Sequence, residues 1–441
     1  MASNVSEDGQ HSELNDIIKL MWGSNVKEDV FQRWTQGFHF SADEPTALVQ
    51  WEGGPCAVLA PVQAFILKSL VSDNWTSNWR EMEVEAVNRL LIRATCEILG
   101  QAYGGQKYHL VHMNDQDQLS NSEGNDQTQE NSQNTTQESK LNHSYFHSQL
   151  RVHSVDSSDE VEAFYLERIQ MLRETFGVLL FLYSVMYTKG LEQLHTEVTD
   201  PGEPMIDGEY GYGSQCLINL MITGRAVAHV WNHDQDVGGL KLLGIDKQST
   251  VGFLALLEHL RYCEVGSFLK NPMTPVWVLG SETHLTVLFS LEKQLVNAET
   301  PTEVARRVFK SFDPEGNNFI SSDLLQDVLS MLNLVSDPEY VEIMKKKLDA
   351  DNLGIILLSA FMDEFFPEET ISVPDTFTLY HYNGLPRSCP NNKVVYQEGS
   401  AVLLECNMKC VLDSNPMLTC LQTKWPSIEV RWHSALTPSL N

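Results

Sequence analysis

Gln50-Trp51-Glu52-Gly53-Gly54-Pro55-Cys56-Ala57-Val58-Leu59-Ala60-Pro61-Val62-Gln63-Ala64-Phe65 is the stretch on which the reading of this chain turns. Pro55 suits the first position of a helix, where a missing N–H costs nothing. The residues from Ala57 to Leu70 are apolar on nearly every face, which predicts a helix buried at the centre of a domain. Pro61 should kink that helix or remove one of its hydrogen bonds. Cys56 then falls in the first turn, beside the positive end of the helix dipole. A free thiol titrates at about 8.5, and a helix N-terminus or a nearby imidazolium lowers this to roughly 3.5–7.5. Gly53 and Gly54 keep side chains off the approach, so a substrate backbone could reach the sulfur. The competing reading of Cys56 is a small buried core residue.

A nucleophilic cysteine needs a histidine base, distant in sequence and close in space. His143, His147 and His153 lie in or near a long polar stretch and are poor choices among the 14 histidines. His284 opens an apolar β-rich run directly after a turn at Gly280-Ser281-Glu282. A side chain at the end of a rigid strand suits an oriented base; the alternative is a hydrogen-bonded strand histidine. An oxyanion hole could use the Cys56 backbone N–H and the side-chain amide of Gln50. Otherwise Gln50 is a solvated loop residue. Near His284, neither Thr286 nor Glu282 matches a motif for a third member of the site.

The 441 residues carry 59 acids against 30 bases, a formal net charge of −29. That balance argues against nucleic acid as the main partner, because phosphate binding needs clustered Lys and Arg. It suits a basic partner surface and solubility. The length predicts two or three domains. Of eight cysteines, Cys406 and Cys410 are close in sequence, but no second such pair accompanies them as zinc sites require. No metal and no cofactor are therefore expected. Reduced thiols and the lack of a signal peptide in Met1–Glu13 predict an intracellular protein, nuclear and/or cytoplasmic. The longest apolar run, Phe176 to Met186, is too short to span a bilayer, so no membrane role is expected. The pattern leaves oligomeric state open.

Outward from Cys56, helices are predicted at Leu14–Trp22, around Val30–Trp34, and at Trp79–Leu99. Asn114 to Ser139 holds 11 Asn/Gln, six acids and one aliphatic residue. Such a segment cannot bury enough apolar surface to offset its ordering entropy, which predicts a disordered insertion, with polar character continuing to about Glu160. Helices are then predicted at Val161–Thr188, Gln215–Trp231 and Gly252–Cys263. Pro275–Leu279 and His284–Phe289 have hairpin spacing. Phe377–Tyr382, Ala401–Glu405 and Ile428–Trp432 read as strands.

From Pro301 a two-fold repeat appears. Helix patterns at Glu303–Phe312 and Asp323–Leu332 flank a loop starting at Asp313, and a second pair flanks a loop starting at Asp349. Ile320 and Ile356 both fall at loop position 8, where paired EF-hand loops make their short β contact. Calcium loops need a bidentate carboxylate at position 12. Here that position is Leu324 in one loop and Ala360 in the other, so the repeat should be structural and should not bind calcium tightly.

RWTQGFHF at Arg33–Phe40, QWEGGPCAVLAPVQAF at Gln50–Phe65, YGYGSQCLINLMITGRAVAHVWN at Tyr210–Asn232, LGSETHLTV at Leu279–Val287, FDPEGNNFI at Phe312–Ile320, and CLQTKWPSIEV near the C-terminus together resemble the MINDY family of deubiquitinases, closest to its MINDY three branch. The resemblance implies an α+β, papain-like cysteine protease fold with an inserted degenerate EF-hand pair. It implies hydrolysis of isopeptide bonds in polyubiquitin, with preference for the proteasome-targeting linkage. It implies Cys56 as nucleophile, His284 as general base and Gln50 as oxyanion donor, with polyubiquitin chains and ubiquitinated proteins as partners. The expected organisation is a disordered 1–13, a catalytic core over 14–300 with the insertion at 114–160, an EF-hand-like pair over 301–368, and a β-rich return to the core over 369–441. Two other readings stand beside this one: a catalytically silent ubiquitin-binding scaffold of the same fold, and a papain-like hydrolase of other substrates.

Overall fold

The computed structural model describes residues 7–72, 79–114, 142–200, 202–297, 300–313, 316–368, 373–404 and 415–441. The chain is a mixed α+β structure built on a six-stranded sheet. Its strands run in the order Ile428–Trp432, Gln397–Leu403, Thr376–Tyr382, Leu285–Phe289, Val276–Gly280, Gly252–Ala255. All neighbours are antiparallel except Gly252–Ala255 and Val276–Gly280, which are parallel.

The two central strands are buried along their whole length. Both faces of the sheet are covered, which is why their sequences are continuous apolar runs rather than alternating ones. Val276, Val278, Leu285, Val287 and Phe289 join the main core with the helix Cys56–Ser72. Trp277, Leu279 and Leu288 face a second core with Leu379 and the helix Pro416–Gln422. The helix Cys56–Ser72 has 15 buried residues of 17 and runs through Pro61 without ending. The helix Gly177–Lys189 is buried throughout and packs beside it.

Several sequence expectations are corrected. The first helix begins at Glu7, so 7–13 are ordered into Glu7–Trp22. The polar insertion ends sooner than expected: Asn142 caps a helix at His143–Gln149, and Leu150–Val155 pairs in register with Tyr108–Met113. The expected disorder at 142–160 is therefore overturned, because hairpin pairing satisfies that backbone. The rest of the insertion, 115–141, lies outside the described residues, as do Cys406 and Cys410. The helix expected over Trp79–Leu99 is a short 3₁₀ turn, Trp79–Glu81, followed by Val84–Ala102.

The helix expected over Val161–Thr188 is three helices. It breaks at Arg168 and again before Gly177, where Phe176 takes φ 74° and the N–H groups of Phe176 and Val178 reach the carbonyls of Thr35 and Gln36. The helix expected to reach Trp231 stops at Thr223, where Gly224 turns left-handed and its N–H closes back on Leu220. Gly252–Cys263 is not one helix. Gly252–Ala255 is a strand, buried on both faces, and only Leu256–His259 is helical. A short apolar run suits a core strand or a buried helix equally, and here pairing with Val276–Gly280 decides.

Residues 301–368 hold a third, separate core, with Phe309, Leu329 and Phe361 at its centre. Two helix–loop–helix units meet there, and their loops pair as Phe319–Ser321 with Ile355–Leu357, Ile320 opposite Ile356. Asp313 and Asp349 each accept two N–H groups of their own loop, from Asn317 and Asn318 and from Leu353 and Gly354. No helix among the described residues is long and apolar enough to cross a membrane.

Candidate active site

Cys56 is the first residue of its helix, 5% exposed, and the Pro55 carbonyl before it accepts from Val58 and Leu59 at 2.9 Å. Two glycines let the chain arrive there. Gly54 has φ +131°, and a Cβ on it would stand 2.9 Å from Trp34 Nε1 and 3.0 Å from the Gly211 carbonyl. Those two groups hydrogen-bond to each other at 3.0 Å. A Cβ on Gly213 would lie 2.3 Å from the Ala57 Cβ. The Gly-rich run Tyr210–Ser214 is thus a bracket packed against the start of the helix.

The sheet brings the other groups. His284 immediately precedes the strand Leu285–Phe289, and Asn383 immediately follows Thr376–Tyr382. These strands are antiparallel with Tyr382 opposite Val287, so Asn383 leaves one strand near the point where His284 enters the other. His284 Nε2 and Asn383 Oδ1 are 3.1 Å apart, and both side chains are buried. The Leu285 N–H lowers the pKa of the Cys56 thiol, so the start of the strand that His284 precedes lies beside the thiol. Gln50 is buried too, and its backbone N–H donates to the Gly384 carbonyl at 2.8 Å. The three residues singled out from sequence are thus linked through their neighbours: Gln50 to Gly384, Gly384's neighbour Asn383 to His284, and His284's neighbour Leu285 to Cys56. The Gln50 amide donates to the Glu52 carbonyl at 2.7 Å, on its own loop.

Asn383 was not singled out from sequence. It precedes Gly384, and Asn-Gly after a strand-like run reads as a turn. Its only sequence signal was a polar residue at a strand end. Glu282 is exposed, and the buried Thr286 hydroxyl has no hydrogen-bond partner among the described residues, so neither orients His284.

The electrostatics correct one expectation. Burial pushes the Cys56 thiol up to about 11, against the lowering effect of the Leu285, Ala57 and Cys56 N–H groups. Desolvation here outweighs the helix terminus. The thiol donates weakly to the Gly54 carbonyl, at 3.7 Å. His284 is lowered to about 4, first by burial, with the Asn383 hydrogen bond opposing and the Arg387 charge adding. Burial thus favours the neutral thiol and the neutral imidazole in the free protein. Alkylation of Cys56 by iodoacetamide should accordingly accelerate by about tenfold per pH unit from pH 7 to 10, without a plateau. A rate levelling off below pH 8 would contradict this.

A cleft of about 260 Å³ adjoins the site, with Ser281, Leu285, His229, Trp231 and Tyr262 among its lining residues. The rings of His229 and Trp231 stack 3.9 Å apart at 11°. His229 Nε2 and Trp231 Nε1 are buried without a hydrogen-bond partner among the described residues.

A family profile described as "Deubiquitinating enzyme MINDY-3/4, conserved domain" matches residues 19–309, well over half of the chain. The chain belongs to the MINDY-3/4 family. The matched span includes Gln50, Cys56 and His284. Among similar family members, the Drosophila melanogaster "Ubiquitin carboxyl-terminal hydrolase MINDY-3 homolog" is 51% identical over 97% of this chain and 83% of its own length. The Homo sapiens "Ubiquitin carboxyl-terminal hydrolase MINDY-3" is 47% identical over 98% of this chain and 100% of its own. The Mus musculus "Probable ubiquitin carboxyl-terminal hydrolase MINDY-4" is 33% identical over 66% of this chain and 39% of its own. No solved structure matches the chain.

Proposed function

We propose that this member of the MINDY-3/4 family is a deubiquitinating thiol hydrolase that cleaves the isopeptide bond after the Gly-Gly end of ubiquitin. The observation that carries the reading is the convergence of Cys56, at a helix start, with the His284–Asn383 pair through Leu285. Cys56 attacks the isopeptide carbonyl, and His284 takes the thiol proton and delivers it to the leaving lysine amine. Water then hydrolyses the thioester. The Cys56 N–H and the Gln50 amide stabilise the oxyanion, which requires Gln50 to release the Glu52 carbonyl. A raised thiol pKa is compatible with this, since proton transfer to His284 occurs once substrate is seated.

The stacked Trp231 and His229, with two ring nitrogens that have no partner among the described residues, suit an extended peptide tail in the cleft. Polyubiquitin and ubiquitinated proteins are the substrates, and the proteasome-targeting linkage is the preferred one. The surrounding fold is papain-like, with 14–300 and 369–441 forming the catalytic core and 301–368 an inserted, degenerate EF-hand pair. Titration calorimetry with calcium should give no site in the micromolar range, because position 12 lacks a carboxylate in both loops; a micromolar site would overturn that assignment. The protein acts inside the cell, in the nucleus and/or cytoplasm.

A second reading, a silent ubiquitin-binding scaffold, draws on the burial that raises the Cys56 thiol and on the Gln50 amide turned toward Glu52. One experiment separates the two. The wild type should form a covalent adduct with ubiquitin bearing a C-terminal electrophile, and Cys56→Ala should form none. Absence of the wild-type adduct, or an equal adduct from the variant, rejects the hydrolase.

A further inference from the structure

Asn383 is held in one orientation from two sides. Its Oδ1 faces His284 and also accepts from the Leu385 N–H at 2.9 Å. Its Nδ2 faces two backbone oxygens, Ser439 at 3.1 Å and Asn441 at 3.4 Å. Backbone oxygens only accept, so the amide must turn its NH₂ toward them and its oxygen toward His284. An oxygen at that point requires the imidazole proton on Nε2, which leaves the lone pair on Nδ1.

The same segment also grips the turn ahead of His284. Asn441 Oδ1 accepts from the Ser281 hydroxyl at 2.5 Å, and that hydroxyl oxygen in turn receives the His284 N–H at 3.0 Å. Leu440, 4% exposed, anchors the segment in the second core. The Ser439 hydroxyl and the backbone of Asn441 close a turn, at 2.6 and 3.1 Å.

We propose that Ser439–Asn441 is a positioning element for the hydrolytic reaction, which selects the reactive tautomer of His284 by orienting Asn383 and by fixing the Ser281–His284 turn. None of its residues reaches the thiol in the described structure. The proposal rests on the reading of Cys56 and His284 as nucleophile and base, and it has one readout independent of that reading.

The test compares the full chain with a variant lacking Ser439–Asn441 and with Asn441→Ala, each with and without Asn383→Asp. Asn441 is exposed, so its alanine variant keeps the buried Leu440 and the fold. On a ubiquitin-chain substrate, deletion should lower kcat by about tenfold or more with KM changed less than twofold, a loss smaller than the roughly 10²–10⁴ supplied by the base itself. Asn441→Ala should lower kcat by a smaller factor with the same split. Asn383→Asp turns a carboxylate toward the Ser439 and Asn441 oxygens. In that background the deletion should raise kcat, a sign reversal that a merely structural segment would not produce. Independently of turnover, ¹⁵N-histidine NMR should show His284 protonated on Nε2 in the full chain and a tautomer mixture after deletion.

Unchanged kcat and an unchanged tautomer in the deletion overturn the proposal. So does a loss of kcat matched by an equal loss of folded protein in Asn441→Ala. A wild type inactive on ubiquitin would reject the hydrolase reading, and the NMR result would still decide the positioning role.

Discussion

Asn383→Ala should lower kcat for ubiquitin-chain cleavage by about two to three orders of magnitude, with the fold and KM nearly unchanged. The argument starts from the tautomer. His284 can act as base only if its unprotonated nitrogen serves the thiol, and the hydrogen bond at the other nitrogen selects which one that is. Asn383 Oδ1, 3.1 Å from His284 Nε2, is the hydrogen-bonding partner of that ring. The expected loss is below the ~10⁴ seen when a triad aspartate becomes asparagine, because a neutral amide stabilises the imidazolium less than a carboxylate does. The Asn383 hydrogen bond also opposes the lowering of His284 by burial. Without it, the imidazole pKa falls further, and the base becomes weaker. Burst kinetics check this directly: acyl-enzyme formation should slow, while ubiquitin binding measured with Cys56→Ala as background stays the same. An unchanged rate of acylation would remove Asn383 from the site.

Gly54→Ala should cost both stability and turnover. The residue sits at φ +131°, a region that side chains rarely adopt, and such strain costs about 1–3 kcal/mol. A Cβ there would also meet Trp34 Nε1 at 2.9 Å and the Gly211 carbonyl at 3.0 Å, between two groups that bond each other. Losing that buried hydrogen bond adds about 1–3 kcal/mol more. Relief requires the Tyr210–Ser214 bracket or the Gly54–Cys56 turn to move, and either shift moves the sulfur. A displacement of about 1 Å at the nucleophile can cost on the order of 10²-fold. The expected result is a lower melting temperature together with a fall in kcat/KM of at least about tenfold. Melting and turnover at wild-type levels would show that the bracket is not needed.

The contrast between residues that were legible and those that were not follows from range. Pro55, Cys56 and the apolar run after them carry a helix start in their own order, because caps and helical burial are properties of a few consecutive residues. The hairpin at Val276–Phe289 was legible for the same reason: two apolar runs and a short turn lie within a dozen residues or so. The helix break at Phe176 was not, because its cause is the pair of carbonyls at Thr35 and Gln36, more than 130 residues away. Gly252–Ala255 was misread because its parallel partner is not adjacent in sequence.

The site divides along the same line. Sequence by itself determined the family, the acidic balance, the nucleophile candidate and the histidine that a strand end would present. Only the tertiary structure decided that Asn383 faces His284, that Ser439–Asn441 stands behind it, and that burial raises the Cys56 thiol. Those three outcomes depend on which groups the sheet brings within about 3 Å of one another and on how much water it removes from around Cys56, and neither quantity is a property of local sequence.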